Sequence, residues 1–295
     1  MPRLNCGTGI ERKPEWLKIR LPKSDSFTEV ESLLRSMGLN TICTSGRCPN
    51  KSECWSHKTA TFMILGDICT RKCRFCATKT GRASEVDLNE AARVAQSVKL
   101  MGLRHAVITS VTRDDLQDGG AQHWRHVVEE VIKENPQTTV ELLIPDFDAR
   151  HDLLDVIVSS GAHIVGHNIE TVERLTPSVR SKATYGTSLE TLRYLSERGC
   201  VVKSGFMVGL SESEQEVESL MRDLFKAGVS ILTIGQYLRP TLEQIQVSEY
   251  VTPEKFSHYK ELALGIGFKF VASGPLVRSS YLAHEALKAV GIALK

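Results

Sequence analysis

Three thiols lie within eight residues in the stretch Cys69-Thr-Arg-Lys-Cys73-Arg-Phe-Cys76, spaced C-x3-C-x2-C with an aromatic before the last. Thiolates this close converge on one metal centre more readily than they pair with one another. A four-iron cubane takes four ligands, one per iron. This loop supplies three, which leaves one iron open to a small molecule. The plain alternative is a structural zinc loop, which usually shows paired C-x2-C hooks. No second hook is present, so the spacing favours iron–sulfur chemistry.

A second triad precedes it in Cys43-Thr-Ser-Gly-Arg-Cys48-Pro-Asn-Lys-Ser-Glu-Cys54-Trp, spaced C-x4-C-x5-C. Gly46 and Pro49 bend the chain so that three thiolates can face one point. His57 is close enough to raise a Cys3His zinc site, and spacing alone leaves zinc and iron–sulfur both open here. The neighbouring Cys69 loop tips the balance toward iron–sulfur. The two triads use six of the eight cysteines. Cys200, in the turn Arg198-Gly-Cys200-Val, reads as a buried structural thiol. Cys6 lies in a polar terminus. Either could complete a cluster.

The elements that must position these loops follow from pattern. The 295 residues are 41% hydrophobic and 24% charged, which suits a soluble protein with a sizeable core. A net charge of +2 implies no strong pull toward nucleic acid or membrane. No apolar run approaches the roughly 18 residues of a membrane span. The start, Met1 to Trp16, is polar and lacks the apolar core of a signal peptide. A cytoplasmic protein is therefore expected, where disulfides are rare and eight cysteines call for metal ligation. Nothing asks for an obligate interface, so a monomer is expected.

Residues 1–58 read as an irregular, polar extension with one short amphipathic helix, Phe27 to Met37, stopped by Gly38. Few apolar residues are evident there, so a metal would act as its staple. From residue 59 short β-rich runs alternate with helical patterns. The runs are Thr61–Leu65, His105–Thr109, Thr139–Ile144, His163–His167, Val201–Val208 and Ser230–Ile234, with Phe268–Ala272 as a seventh. Amphipathic segments separate them at Val86–Met101, Ala121–Glu134, Arg150–Ser160, Ser188–Arg198, Glu212–Ala227 and Thr252–Leu264. Alternation of this kind argues for parallel strands with right-handed crossovers. Six units favour a partial TIM-type (β/α)6 barrel over 59–272, followed by a C-terminal segment 273–295.

In such barrels the site sits at the C-terminal ends of the strands. Those ends are polar throughout: Gly66 and Asp67, Ser110 to Asp115 with Gly119-Gly120, Pro145-Asp146, Asn168 and Glu170, Gly205 to Glu212, and Gln236-Tyr237. One such loop is usually an N-cap. Six in succession point to a shared cavity.

The Cys69 loop resembles the signature of the radical S-adenosylmethionine (SAM) superfamily, and from Cys43 to Tyr281 the chain resembles the lipoyl synthases. The resemblance rests on both triads, on Thr112-Arg-Asp-Asp-Leu, His167-Asn-Ile-Glu170-Thr and Gly235-Gln-Tyr-Leu-Arg-Pro240, and on Gly274-Pro-Leu-Val-Arg278-Ser-Ser-Tyr281. It implies an enzyme that inserts two sulfur atoms at C6 and C8 of an octanoyl chain amide-linked to a lysine of a carrier protein. Those C–H bonds are unactivated, so a hydrogen atom must be abstracted rather than a proton. The implied cofactors are two [4Fe–4S] clusters and SAM. Cys69, Cys73 and Cys76 would hold the cluster that cleaves SAM. Cys43, Cys48 and Cys54 would hold an auxiliary cluster that surrenders its sulfide.

By the same resemblance a serine of Arg278-Ser279-Ser280-Tyr281 is the fourth auxiliary ligand. Oxygen is a poorer match than thiolate to iron–sulfur chemistry, which suits a cluster meant to come apart. In an extended segment the two serines point opposite ways, and Ser280 is the one assigned. Around SAM the resemblance implies Phe75 against adenine, Asn168 and Glu170 at the ribose or ammonium, and Arg180 at the carboxylate. Met207 and Leu210 would lie against adenine. Met207 as barrel core and Glu170 as an N-cap are the plain readings. Implied partners are octanoylated lipoyl domains or glycine-cleavage H-type carriers, a ferredoxin or flavodoxin reductant, and iron–sulfur carrier proteins. The nearest rivals are a biotin-synthase-like enzyme, a methylthiotransferase and a non-catalytic zinc-binding barrel. The N-terminal triad and the Arg-Ser-Ser-Tyr tail argue against the first two. Iron and sulfide analysis of anaerobically purified protein decides the third: two cubanes predict about eight irons per chain, and a zinc barrel almost none.

Overall fold

The computed structural model describes residues 13–18, 25–56, 60–280 and 283–292. Cys6, His57 and Tyr281 lie outside the described residues. The core is a sheet in which seven strands run parallel in chain order: β1 (Thr61–Ile64), β2 (His105–Ser110), β3 (Thr139–Leu143), β4 (Ile164–Gly166), β5 (Val202–Val208), β6 (Ile231–Gln236) and β7 (Phe270–Gly274). Helices Glu90–Met101, Ala121–Glu134, His151–Val158, Tyr185–Glu197, Glu214–Lys226 and Pro253–Ile266 return the chain between them. Parallel strands need such crossovers. The strands are apolar because both faces are covered; β6 is buried along its whole length.

Strand bounds differ from the pattern by one or two residues, with one consequence. The ladder of β5 and β6 continues to Val208↔Gln236, so Gln236 ends the strand instead of following it. Its buried amide donates to the carbonyls of Tyr237 (3.0 Å) and Glu249 (2.9 Å) and accepts from Val251 N (2.8 Å). A polar residue there ends an apolar run by composition, but three backbone partners keep it inside.

The sheet does not close. A two-residue strand, Asn40–Thr41, pairs antiparallel with β1 at one edge, and β7 forms the other. The segment after β7 runs across the opening. At Gly235 an added Cβ would sit inside van der Waals contact of the Val277 carbonyl oxygen, so only glycine lets the tail pass over β6. Asn168 Nδ2 then donates to Ser279 Oγ (2.8 Å), and Thr61 Oγ1 to Ser280 Oγ (2.8 Å). The helix Ala283–Ala289 follows, with Ala286 and Leu287 packed on Ile164 and Ile231 at the first residues of β4 and β6.

The N-terminal extension has apolar anchors that its composition did not suggest. In the helix Asp25–Ser36, Val30 and Leu34 are buried, and so is Trp55. The Phe27 ring packs tilted at 33° with its centroid 5.3 Å from that of Trp55, and the Lys51 ammonium lies 4.2 Å from the Trp55 ring centroid. The expectation of few apolar anchors is corrected: a helix face and an aromatic pair seat the segment on the barrel.

The Cys69 loop leaves β1 through Leu65 (φ 67°) and Gly66 (φ 95°). The buried Glu90 carboxylate holds that left-handed turn, accepting from Leu65 N (2.8 Å) and from His123 Nε2 (2.8 Å). Beyond it Thr70 N donates to Thr112 O (3.0 Å), and Asp114 N to Thr70 Oγ1 (3.0 Å). Arg71 turns inward. Its guanidinium meets Asp114 (2.8 and 2.9 Å), after β2, and Asp146 (2.8 Å), after β3. Asp148 lies 3.4 Å away. Arg71 is 6% exposed and Asp146 fully buried. Burial alone would lower the Arg71 pKa, but the carboxylates raise it, and they hold it charged.

Removing one partner of a buried pair strands the other charge. Arg71→Met is therefore expected to cost about 3–5 kcal/mol in denaturant unfolding. Arg71→Met combined with Asp146→Asn should cost less than the sum of the two single changes. Additive losses would show that the pair does not act as a unit.

Candidate active site

The cysteine loop, the strand ends and the C-terminal segment surround one cavity of about 580 Å³. Cys69, Cys73 and Cys76 line it, with Phe75 between the last two. All three thiols are free. Backbone N–H groups aim at the sulfurs: Arg71 N and Thr112 N at Cys69 Sγ, and Thr78 N at Cys76 Sγ, each at 3.4 Å. Donors of this kind stabilise thiolate and tune a bound cluster. Without metal, burial pushes the Cys76 thiol above its ordinary value. The loop is clamped from outside as well, by Arg74 N to Val179 O (2.9 Å), Ile245 N to Arg74 O (3.0 Å) and Gln244 Nε2 to Cys76 O (3.1 Å). The last two contacts come from the long connection after β6, a strap to which the pattern assigned no element.

Of the residues expected near SAM, Phe75, Asn168, Glu170, Arg180 and Met207 all line this cavity. Leu210 does not. It is buried in the core, and its N–H is taken by the Glu212 carboxylate (2.8 Å); the residue expected at adenine thus stands apart from the cavity lining. Glu170 is not an N-cap, because the next helical turn, Glu173–Leu175, is preceded by Val172. Instead Glu170 has φ 73°. Its backbone is held in that strained form by Gly205 O (3.2 Å) and Met207 N (2.8 Å) of β5. Strain held by a sheet is typical of ligand sites. Burial pushes its carboxyl up, against the opposing pull of Arg180 and Asn168.

Arg180 Nη1 donates to Asn168 O (3.2 Å) and Ser188 Oγ (2.8 Å), while its Nε is buried without a partner. Ser110 Oγ, also on the cavity wall, is likewise buried and unpartnered. Orphaned polar atoms in a cavity wall fit a polar ligand, since each would otherwise cost about 1–3 kcal/mol. A planar cation suits a carboxylate. His167 stays neutral: burial and the Arg180 charge bring its pKa to about 4, and its ring nitrogens meet Ile144 O and Ser188 Oγ, each at 3.0 Å.

The second triad approaches the same wall. Thr41 caps the short helix Ile42–Ser45, which carries Cys43, and Gly46 and Pro49 line the cavity. Asn50 Nδ2 donates to Leu276 O (2.7 Å) and Arg47 Nη1 to Pro240 O (3.2 Å), tying this loop to the tail and to the β6 connection. Cys43, Cys48 and Cys54 are free. Burial first, and then the neighbouring thiols, push Cys54 up to about 12; burial also raises Cys48. Thiols that resist ionisation alone yet influence one another suit a shared cation that takes them as thiolates. Among the described residues no three His, Cys, Asp or Glu side chains are placed to hold one metal ion. A cubane instead takes one thiolate per iron. Strand pairing Thr41↔Phe62 delivers Cys43 toward the start of β1, where Ser280 sits on Thr61. Ser279 faces the cavity. The two serines do point to different partners. Cys200, just before β5, belongs to neither group; burial raises it.

Arg71 is the functional residue that pattern reading missed. Its signal was present in the carboxylates at the ends of β2 and β3, which need a cation, and in a loop arginine between them in space. Cys69, Cys73 and Cys76 share one cavity wall with Phe75, Asn168, Glu170, Arg180 and Met207.

The family model "Radical SAM superfamily" matches residues 63–224. A lipoyl synthase of Parabacteroides distasonis is 58% identical over 93% of this chain and 98% of its own length. One from Bacteroides thetaiotaomicron is 54% identical over 94% and 98%, and one from Rubrobacter xylanophilus 52% identical over 94% and 87%. Among solved structures, methylornithine synthase superposes with TM-score 0.55 at 13% identity, covering 85% of this chain and 82% of that one. Streptococcus suis SuiB bound to its precursor peptide gives 0.55 at 9%, covering 88% and 55%. Those two likenesses carry the fold alone. The sequence relatives carry more: the chain belongs to the lipoyl synthase family of the radical SAM superfamily.

Proposed function

We propose that this site makes protein-bound lipoyl groups by inserting sulfur at C6 and C8 of an octanoyl chain on a carrier lysine. The observation that carries the reading is that both cysteine loops and the C-terminal segment contribute to one cavity wall, through Cys69, Cys73, Cys76, Gly46, Pro49 and Ser279. When bound, the cofactors supply a hydrogen-abstracting radical and the sulfide that takes the hydrogen's place. Cys69, Cys73 and Cys76 would hold the cluster at which SAM binds. Cys43, Cys48, Cys54 and Ser280 would hold the auxiliary cluster.

The chain's own part is to bind, orient and exclude water. Arg180 Nε would meet the SAM carboxylate, Asn168 and Glu170 its ammonium or ribose, and Phe75 and Met207 the adenine. Ser280 would leave Thr61 to reach iron. His167, neutral at working pH, adds no charge beside Arg180. The strap after β6 holds the cysteine loop in place through Gln244 and Ile245. Residues 1–58 and 273–295 act as the auxiliary-cluster extensions of a 59–272 barrel. Lipoyl domains and glycine-cleavage H-type proteins are the carriers; a ferredoxin or flavodoxin supplies electrons, and iron–sulfur carrier proteins rebuild the spent cluster. The free thiols suit the reducing cytoplasm. No helix among the described residues is long and apolar enough to cross a membrane.

Incubation of reduced enzyme with SAM and an octanoylated lipoyl domain should add the mass of two sulfurs to the domain. Unchanged mass with intact SAM cleavage would remove the sulfur-insertion reading. Ser280→Cys should slow sulfur insertion by about tenfold or more, because a thiolate holds iron where an oxygen releases it. Normal turnover in that variant would remove the labile-ligand role.

A further inference from the structure

The chain carries a net charge of only +2, yet the stretch 67–85 alone holds Arg71, Lys72, Arg74, Lys79 and Arg82 against Asp67 and Glu85. The cysteine loop divides these charges between two sides. Arg71, Cys73 and Phe75 line the cavity, whereas Lys72 and Arg74, between them in sequence, do not and are exposed. Lys79 and Arg82 are exposed too. They lie on or just after the strand Lys79–Thr80 that pairs with Ile68–Cys69, and Gly81 N donates to Cys69 O (3.1 Å). Lys79 meets Asp67 (2.7 Å). Lys72 and Arg82 make no ion pair with any described residue. Lys72 N donates to Ser181 Oγ (3.1 Å), beside the half-exposed Lys182, whose charge is already met by Asp148 (2.7 Å) and Asp114 (3.3 Å).

An excess of exposed cations behind one loop, two of them (Lys72 and Arg82) without an ion pair among the described residues, on an otherwise balanced chain forms a field that attracts a negatively charged surface. An octanoyl arm must enter through the cavity, and these side chains stand outside it. An electron has no such need. It can pass through the loop itself, from the side opposite the cavity. We propose that this basic back of the cysteine loop is the docking surface for an acidic one-electron carrier protein. The inference rests on the reading of the Cys69 loop as the holder of the reducible cluster. One electron passes from the carrier's reduced cofactor through the loop to that cluster; the carrier is oxidised by one electron, and no atom is transferred.

The test uses anaerobic holoenzyme with Lys72→Glu/Arg82→Glu, driven either by reduced flavodoxin or by dithionite, with SAM cleavage and calorimetric flavodoxin binding as readouts. At low salt the flavodoxin-driven rate should fall about tenfold and the Kd rise by a similar factor, while the dithionite rate stays unchanged. Added salt should erase the wild-type advantage. Lys72→Gln/Arg82→Gln should give an intermediate loss and guards against misfolding of the charge-reversed form. An equal fall with both reductants, no change with either, or a raised KM for the octanoylated domain under dithionite would each overturn the docking assignment. Absence of SAM cleavage by wild type under dithionite would instead overturn the reading of the site.

Discussion

The Arg71 guanidinium, out of water among three carboxylates, is the contact on which the site depends. Such a charge is tolerated only if its partners are in place. Asp114 follows β2 and Asp146 follows β3, so the ion pairs form only when those strands end at matching heights beside the loop. The register Ile108↔Leu142 and Thr109↔Leu143 sets those heights. The shape of a loop that must present three sulfurs is thus made a consequence of sheet register. Glu90 does the same from behind, where Leu65 leaves β1 in a left-handed turn that Gly120, with no side chain, makes room for.

An open sheet has a cost and a use. Two unpaired edges invite unwanted association, and here the gap between them is crossed by residues 277–280. That crossing carries Ser279 to the cavity and Ser280 to Thr61, near the point where the N-terminal strand delivers Cys43. The part of the chain that covers the opening is also the part that brings an oxygen donor toward the second triad. Barrels of this kind are shared at 13% identity, and a fold does not decide an activity. In this chain residues of both extensions, Gly46, Pro49 and Ser279, reach one cavity wall.

Inside and outside of the cysteine loop differ in charge as well as in access. Over Arg71 to Phe75 alternate residues line the cavity, while Lys72 and Arg74 do not and are exposed. Sulfur, aromatic and one paired cation face the cavity; free cations face solvent. A single short segment can therefore serve a ligand on one side and a protein on the other.

Much of this was legible in sequence. Cysteine spacing named the chemistry, and the alternation of β-rich and helical runs named a parallel barrel with its site at one end, because both are local patterns set by two short periods. The segments Ala121–Glu134 and Val202–Val208 were read to within a residue for that reason. Other features were not legible. Arg71, Gln236, the strap that reaches Cys76, and the burial of Trp55 each depend on partners far away in the chain. Glu170, expected on the SAM side, had a cap as its plain alternative because Glu is common near helix starts, and Leu210 looked like a ligand contact because of its neighbours in a motif. Sequence alone determined which atoms could bind metal and which runs could form strands, since residue type and spacing decide those. Only the tertiary structure decided which thiols share a wall, which serine faces which way and which charges are left free, because burial and pairing belong to the assembled sheet and to no single segment of it.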